Sequence, residues 1–419
     1  MSVKEPVPSA WDPAGRAPAS RYLQITGTRV KYVGPGNDDR DAASVRSNYP
    51  VPSDLPIFYY EVEVVNKGRD GFIGIGFAVR DVKLDRLPGW EPHSYGYHGD
   101  DGHAFSGRGT GRPYGPCFGT GDWIGVLWNR VEGTVSFSKR GYDLGVAFEG
   151  VHEEHLYPIV GFRTPDEEID ANFGVDLARK PFKADMAAIR KEAEQRLYSR
   201  ILHLQLPASK GQSSDLVGQL VFDYLCHYGH WETAAAVGRD VLGGAVEVSQ
   251  QAVEEMQKRQ QVSGCVLRGD IDGAVALARE VAPGSLEAHP AVLFRLQCQK
   301  FMELINAKQD EAATAYGRTV LVPACSNEAE KELLEDALSL FAYEDPAASP
   351  CGHLLSAAAR AELAAEVNKA ILAMKGRRED SALECLYKQA AAAHKELVAL
   401  GDPAASLVNV EDVIHTKRD

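Results

Sequence analysis

Apolar and polar residues alternate with a short period through the first part of the chain and with a helical period through the rest. Phe58 to Val64, reading FYYEVEV, passes from an aromatic start into apolar and charged alternation, the pattern of a half-buried strand. Phe72 to Val79 predicts a second strand, with glycines that permit close approach by a neighbouring loop or sheet. Trp123 to Trp128, Thr134 to Ser138 and Leu156 to Phe162 predict three more, and Asn129 to Gly133 reads as a hairpin connection. Short strands punctuated by Gly, Asn, Asp and Pro, from Arg21 to Gly174, predict a β-sandwich.

Beyond Pro181 the period changes. Leu216, Leu220, Tyr224 and Leu225 share one helical face, with Ser214 or Asp215 as a cap and Gly229 as the stop. Val262, Val266, Ile271, Val275 and Ala278 recur around the break Arg268-Gly269-Asp270, and Val292, Leu296, Phe301 and Ile305 continue the pattern. Leu363, Val367, Ile371 and Met374 form a further stripe, followed by Leu383, Leu386, Ala390 and Leu397. Lys180 to Arg200 reads as a connecting helix and Ala208 to Ser214 as a flexible joint. The predicted class is multidomain, an all-β sandwich followed by an all-α region of helical hairpins.

At 419 residues the chain is too long for one ordinary core. Its formal net charge is −14 and neither half is basic, which argues against nucleic acid and anionic membrane as partners. No apolar run approaches the ~20 residues of a membrane span. The opening MSVKEPVPSAWDPAGRAPAS reads as a disordered tail without a signal core. Seven scattered cysteines, none spaced as CxxC, fit reduced thiols in the cytoplasm or nucleus and predict no zinc site.

Catalytic signals are sparse. No phosphate-binding glycine loop or GxSxG elbow is present, and no cofactor is expected. His93, His98 and His103 lie near Asp100 and Asp101, residue types that bind metal, but HGDDGH reads first as a glycine-rich surface turn. A metal-dependent enzyme built on these residues is the minor alternative. Gly34-Pro35-Gly36-Asn37-Asp38-Asp39 predicts a loop at one end of the sandwich, where binding residues gather. The Leu216 to Val237 hairpin carries too little core to stand alone, which predicts pairing with another chain through Leu216, Leu220, Tyr224 and Leu225.

GWEPHSYGYHGDDGHAF (Gly89 to Phe105), YGPCFGTGDWIGVLWN (Tyr114 to Asn129) and TVSFSKRGYDLGVAF (Thr134 to Phe148) resemble the SPRY domain in its Ran-binding-protein-M branch. LVFDYLCHYGHWETAAAV (Leu220 to Val237) resembles the LisH motif, with Tyr224-Leu225, Gly229, Thr233-Ala234 and Val237 in its positions. Gln250 to Ala307 resembles a CTLH segment, and Lys308 to Leu400 the CRA segment that follows it. The domains read as 1–20 tail, 21–185 SPRY, 186–212 connecting helix and linker, 213–246 LisH, 250–307 CTLH, 308–400 CRA and 401–419 tail. This order resembles the Ran-binding-protein-M family, the scaffold subunit of the CTLH (GID) E3 ubiquitin ligase.

The resemblance implies a protein without its own catalytic site. SPRY would dock a substrate receptor or substrate, and the helical half would assemble with other LisH-CTLH subunits as a homo- or hetero-dimer. RING subunits would be separate chains. It also implies a peptide-binding face made jointly by the Gly34 to Asp39, Phe105 to Arg108 and Phe162 to Thr164 loops. That face would use Pro35, Asn37, Asp38, Phe105, Arg108, Tyr114, Arg163 and Thr164. A general SPRY adaptor in signalling or at the cytoskeleton, outside any ligase, is the competing reading.

Overall fold

The computed structural model describes residues 5–13, 21–204, 213–244, 246 and 248–409. Two compact units emerge: residues 1–204 with 390–419, and residues 205–389. The first holds a sandwich of two antiparallel sheets. Seven strands form one sheet, in the order β1 (Leu23–Thr26), β2 (Arg29–Tyr32), β13 (Glu167–Asn172), β4 (Ile57–Lys67), β9 (Trp123–Asn129), β10 (Thr134–Lys139) and β11 (Tyr142–Glu149). Six form the other: β3 (Ala43–Arg46), β12 (Tyr157–Phe162), β5 (Gly74–Ala78), β6 (Ser94–His98), β7 (His103–Ser106) and β8 (Arg112–Pro113).

The central strand β4 shows why the alternation held. Phe58, Tyr60, Val62 and Val64 point into the shared core with Phe77, Trp128, Phe137 and Phe162. Tyr59 and Glu61 point the other way and are buried too, because the segment after the sheet folds over them. Phe182 meets the Tyr59 ring edge-on at 4.9 Å. Glu61 Oε1 accepts from Tyr59 OH at 2.8 Å, Lys183 N at 2.7 Å and Ala184 N at 3.2 Å. The β9–β10 hairpin forms where expected, with Gly133 at φ +64°.

The expected N-terminal tail is a correction for residues 5–13. Trp11 is 2% exposed, bridges to Ser47 and packs edge-on against Phe173 at 5.0 Å. Its indole N–H donates to Thr28 O at 2.8 Å. Burying an indole whose polar atom finds a partner outweighs the ordering of a short proline-containing segment.

After the sandwich comes α1 (Met186–Leu202), capped by the Asp185 carboxylate. The second unit is helical, beginning with α2 (Ser213–His227), α3 (Trp231–Asp240), α4 (Gln250–Leu267), α5 (Ile271–Val281) and α6 (Pro290–Asn306). Then α7 (Asp310–Tyr316) runs through a π-helical turn into the short α8 (Val322–Ala324). The remaining helices are α9 (Glu328–Ser339), α10 (Ala357–Met374) and α11 (Ala382–Ala399), which runs on into the first unit, where α12 (Pro403–Leu407) lies. Helix α2 begins at Ser213, so Ser214 and Asp215, the expected caps, fall within its range. The predicted joint lies outside the described residues over 208–212.

One core of this unit joins Val262, Val266, Ile271 and Ala278 to Leu363, Val367 and Ile371. Another gathers Phe294, Phe301 and Ile305 with Leu321, Leu334 and Leu340. Met374 and the α11 stripe depart from expectation: Met374, Leu383, Leu386 and Leu397 are exposed, and no residue of α11 is fully buried. The chain passes back into the first unit within α11, at Ala390. There α12 packs Leu407 into an apolar cluster, so 401–409 is not a loose tail.

Candidate interaction surfaces

At one end of the sandwich the loops before β3, before β5 and after β12 are laced together. Gly36 takes φ +64°, and a Cβ there would lie 2.6 Å from Pro165 Cδ, so this approach requires glycine. Arg69 donates to Gly36 O at 2.6 Å, and its backbone N–H to Pro165 O at 3.1 Å. Arg163 pairs with Asp39, and its guanidinium lies 3.4 Å from the Phe72 ring centroid. Asn37 N–H donates to Asp41 at 2.7 Å, and Asp38 holds Arg40 at 2.6 Å. Pro35, Asn37 and Asp38 are exposed on this end.

Beneath these loops sits Glu167, buried and absent from the sequence reading. Its carboxylate accepts from Arg163 N at 2.7 Å, Thr164 N at 2.9 Å and Thr164 Oγ1 at 2.5 Å. Thr164 Oγ1 in turn accepts from Asp70 N at 3.3 Å. Burial pushes Glu167 up to about 7, against the opposing pull of those donors. Thr164 is fully buried, so it shapes the face from below and offers no surface. Asp100 flanks the same end, pushed up to about 6 mainly by burial.

The Phe105 to Arg108 segment does not join this face. The turn at this end is the β6–β7 connection, whose Gly99 N–H donates to Ile73 O. From there β7 carries the chain away by ~13 Å over four residues. Arg108 is exposed at the far end, donating to Gly89 O at 3.3 Å. Phe105 is 6% exposed, stacked on His98 at 3.9 Å, so it offers no flat apolar contact. Tyr114 is half-buried; its hydroxyl donates to Gly145 O at 2.6 Å and accepts from Phe137 N at 3.1 Å. Tyr114 thus bridges β10 and β11 where their register is interrupted between Ser136 and Ser138, and Arg112 donates to Ala147 O nearby.

The histidines of the HGDDGH region diverge. Nε2 of His98 lies 2.8 Å from Pro88 O, Nδ1 of His103 is 2.7 Å from Asp101, and Nδ1 of His93 is 3.0 Å from Glu153. Burial holds His98 down at about 4. Among the described residues, no group of three or more His, Cys, Asp or Glu could hold a metal ion.

The second surface lies on the helical unit. Leu216 is 55% and Val217 65% exposed, with Val221 and Tyr224 also open and Leu220 and Leu225 half-buried. The opposite side of α2 faces inward: Gly238 lets α3 approach the Phe222 ring, and Gly218 is met by Leu242. At its C-terminal end α2 is tied down by Arg259. This buried guanidinium donates to Cys226 O at 2.9 Å, His227 O at 2.5 Å and Asn368 Oδ1 at 2.8 Å. Asn368 Nδ2 adds a bond to His227 O at 3.0 Å. The start of α11 is bonded alongside, through Ala382 N–H to Asp223 at 2.9 Å and Tyr228 OH to Glu384 at 2.6 Å. In α11 Leu383, Leu386 and Tyr387 are exposed as well. Val217 and Val221 were missed in the sequence, where an open apolar stripe looks like a core stripe.

Comparison with known proteins follows the same division. The SPRY domain family matches residues 57–176, and the CTLH/CRA C-terminal to LisH motif domain matches residues 255–398. Ran-binding protein 10 of Danio rerio is 39% identical over 308 residues, 73% of this chain and 49% of that protein. Ran-binding protein 9 of Xenopus laevis is 37% identical over 322 residues, 76% of this chain and 56% of that protein. The chain thus spans about half the length of these relatives. The Ran-binding protein M homolog of Arabidopsis thaliana is 31% identical over 366 residues, 85% of this chain and 76% of that protein. The two domain matches support a scaffold or adaptor. With their order and most of the Arabidopsis relative matched, the chain belongs to the Ran-binding protein M family.

Proposed function

We propose that this chain is a scaffold subunit of a CTLH (GID-type) E3 ubiquitin ligase without a catalytic site of its own, acting in the cytoplasm and nucleus. The sandwich loops take a substrate receptor or substrate, and α2 pairs with another LisH-CTLH chain. Separate RING-type subunits supply ubiquitin transfer. The observation that carries this reading is the open apolar face of α2 on a helix fastened by a buried arginine. An apolar patch held in fixed shape loses little conformational entropy on pairing, as an assembly surface requires. The loop face suits an extended polar segment, since its charges are paired among themselves and its backbone is preset by Glu167. Affinity purification from cells with identification of partners tests the proposal. RING-type CTLH subunits should copurify with the intact chain and be lost with Leu220→Glu plus Tyr224→Glu. Partners recovered without any RING-type subunit would favour an adaptor working outside a ligase.

A further inference from the structure

In the first unit α1 has only two fully buried side chains, Ala193 and Leu197. Both belong to a cluster with Leu407 of α12, against which Ile57, Val131, Ala404 and Val408 also pack. Most of the rest of α1 is exposed, and its ion pair from Arg196 to Glu132 of the β9–β10 turn is a 3.4 Å contact with a half-exposed arginine. Such a pair adds little, and an isolated helix of this length is marginal in water. The packing that holds α1 to the sandwich is therefore shared with residues two hundred positions later in the chain.

The C-terminal piece is shaped for this seat. The Asp402 carboxylate accepts from Ala405 N at 2.8 Å and caps the turn, while Pro403 presets its first residue. Nε2 of His394, in α11, lies 3.0 Å from Ala405 O and 2.8 Å from Val408 O and closes the last turn. Beside the seat runs an open cleft of about 1010 Å³ lined by Arg190, Glu194, Val398 and Leu400. The apolar contact is small and flanked by open space, whereas the sandwich core is continuous. Contacts of this kind open before the core does.

We infer that Asp402 to Val408 is a clasp, an intrachain ligand for a seat formed by α1, the start of β4 and the β9–β10 turn, and that this seat can be vacated and refilled by the same segment supplied as a separate peptide. In the intact chain the covalent tether keeps the local concentration of the clasp high and the seat occupied. The test is hydrogen exchange on the full chain carrying Leu407→Glu. Amides of α1 should exchange at least tenfold faster than in wild type, with β4 and β9 unchanged. A synthetic peptide spanning Ala399 to Asn409 should restore slow exchange in α1 of the variant, and the same peptide carrying L407E should not. A chain ending at Gly401 is the second variant and should bind the labelled wild-type peptide at least tenfold more tightly than the intact chain does. Unchanged α1 exchange in Leu407→Glu, no rescue by the peptide, or equal binding by intact and truncated chains would each overturn the inference.

Discussion

Arg259 offers the sharpest test of how α2 is held. It is 1% exposed, and its guanidinium makes three hydrogen bonds, two of them to the last carbonyls of α2. Bonds from a charged donor are worth ~1.5–3 kcal/mol each, which sets an upper figure of about 9 kcal/mol. Burying the guanidinium costs much of that back; burial holds its pKa below the ordinary arginine value, while Glu255 at 3.5 Å returns only part. Truncating a buried charged residue with partners typically costs ~3–5 kcal/mol net. For a unit the size of residues 205–389, each kcal/mol is worth roughly 2–4 °C of Tm. Arg259→Ala should therefore lower the thermal midpoint of the helical signal by about 6–20 °C. Arg259→Met restores volume but not the bonds, so at most about half of the loss should return. Circular dichroism melts of the full chain measure this. A fall of less than about 2 °C for Arg259→Ala, or a Met variant as stable as wild type, would refute the tie as the fastening of α2.

Further outcomes follow from the same contacts. Trp11→Ala should destabilise the sandwich by ~3–5 kcal/mol in denaturant melts, whereas a residue in a loose tail would change nothing. Glu167 holds its proton up to about pH 7 when folded but releases it near the usual carboxylate value when unfolded. Its stabilising share is complete below about 4.5 and is lost as pH rises toward about 7. His98, held down at about 4, acts in the opposite sense, and Asp100 in the same sense as Glu167. The difference in stability between wild type and Glu167→Gln isolates the effect: it should fall across that window and level off above it, and a flat difference would contradict the assignment. Leu220→Glu with Tyr224→Glu should reduce the mass of a LisH-paired complex in light scattering to that of its separate chains. A desolvated unpaired charge costs several kcal/mol, enough to separate a modest interface.

The strands were legible because alternation reports directly on a sheet with one face against a core, as in Phe58 to Val64. The helices were legible as elements but not in what they cover. Leu363, Val367 and Ile371 of α10 are buried while Leu383 and Leu386 of α11 are open, and both stripes have helical spacing. Period identifies a face; only packing says whether something lies on it. Trp11 and Leu407 stood outside any repeating pattern, and each is fixed by a partner far away in sequence, Phe173 for one and Leu197 for the other. The loop face was half legible. Turn residues at Gly34 to Asp39 and Phe162 to Thr164 marked two of its loops. Which end of β7 carries a third depends on strand direction, and the face took the Gly99 to Gly102 end over Phe105 to Arg108. Glu167 gave no signal, because a carboxylate in a strand pattern reads as solvent-facing until a loop closes over it.

The central claim is that one chain joins two separate protein-binding surfaces. It is tested most directly by quantitative affinity capture of three forms from cells: wild type, Arg163→Ala with Asp39→Ala, and Leu220→Glu with Tyr224→Glu. The loop-face variant should lose the receptor or substrate and keep LisH-CTLH and RING-type subunits at wild-type ratio. The α2 variant should do the reverse. Loss of both partner sets in either variant, with the fold intact by circular dichroism, or retention of both in each, would contradict the account.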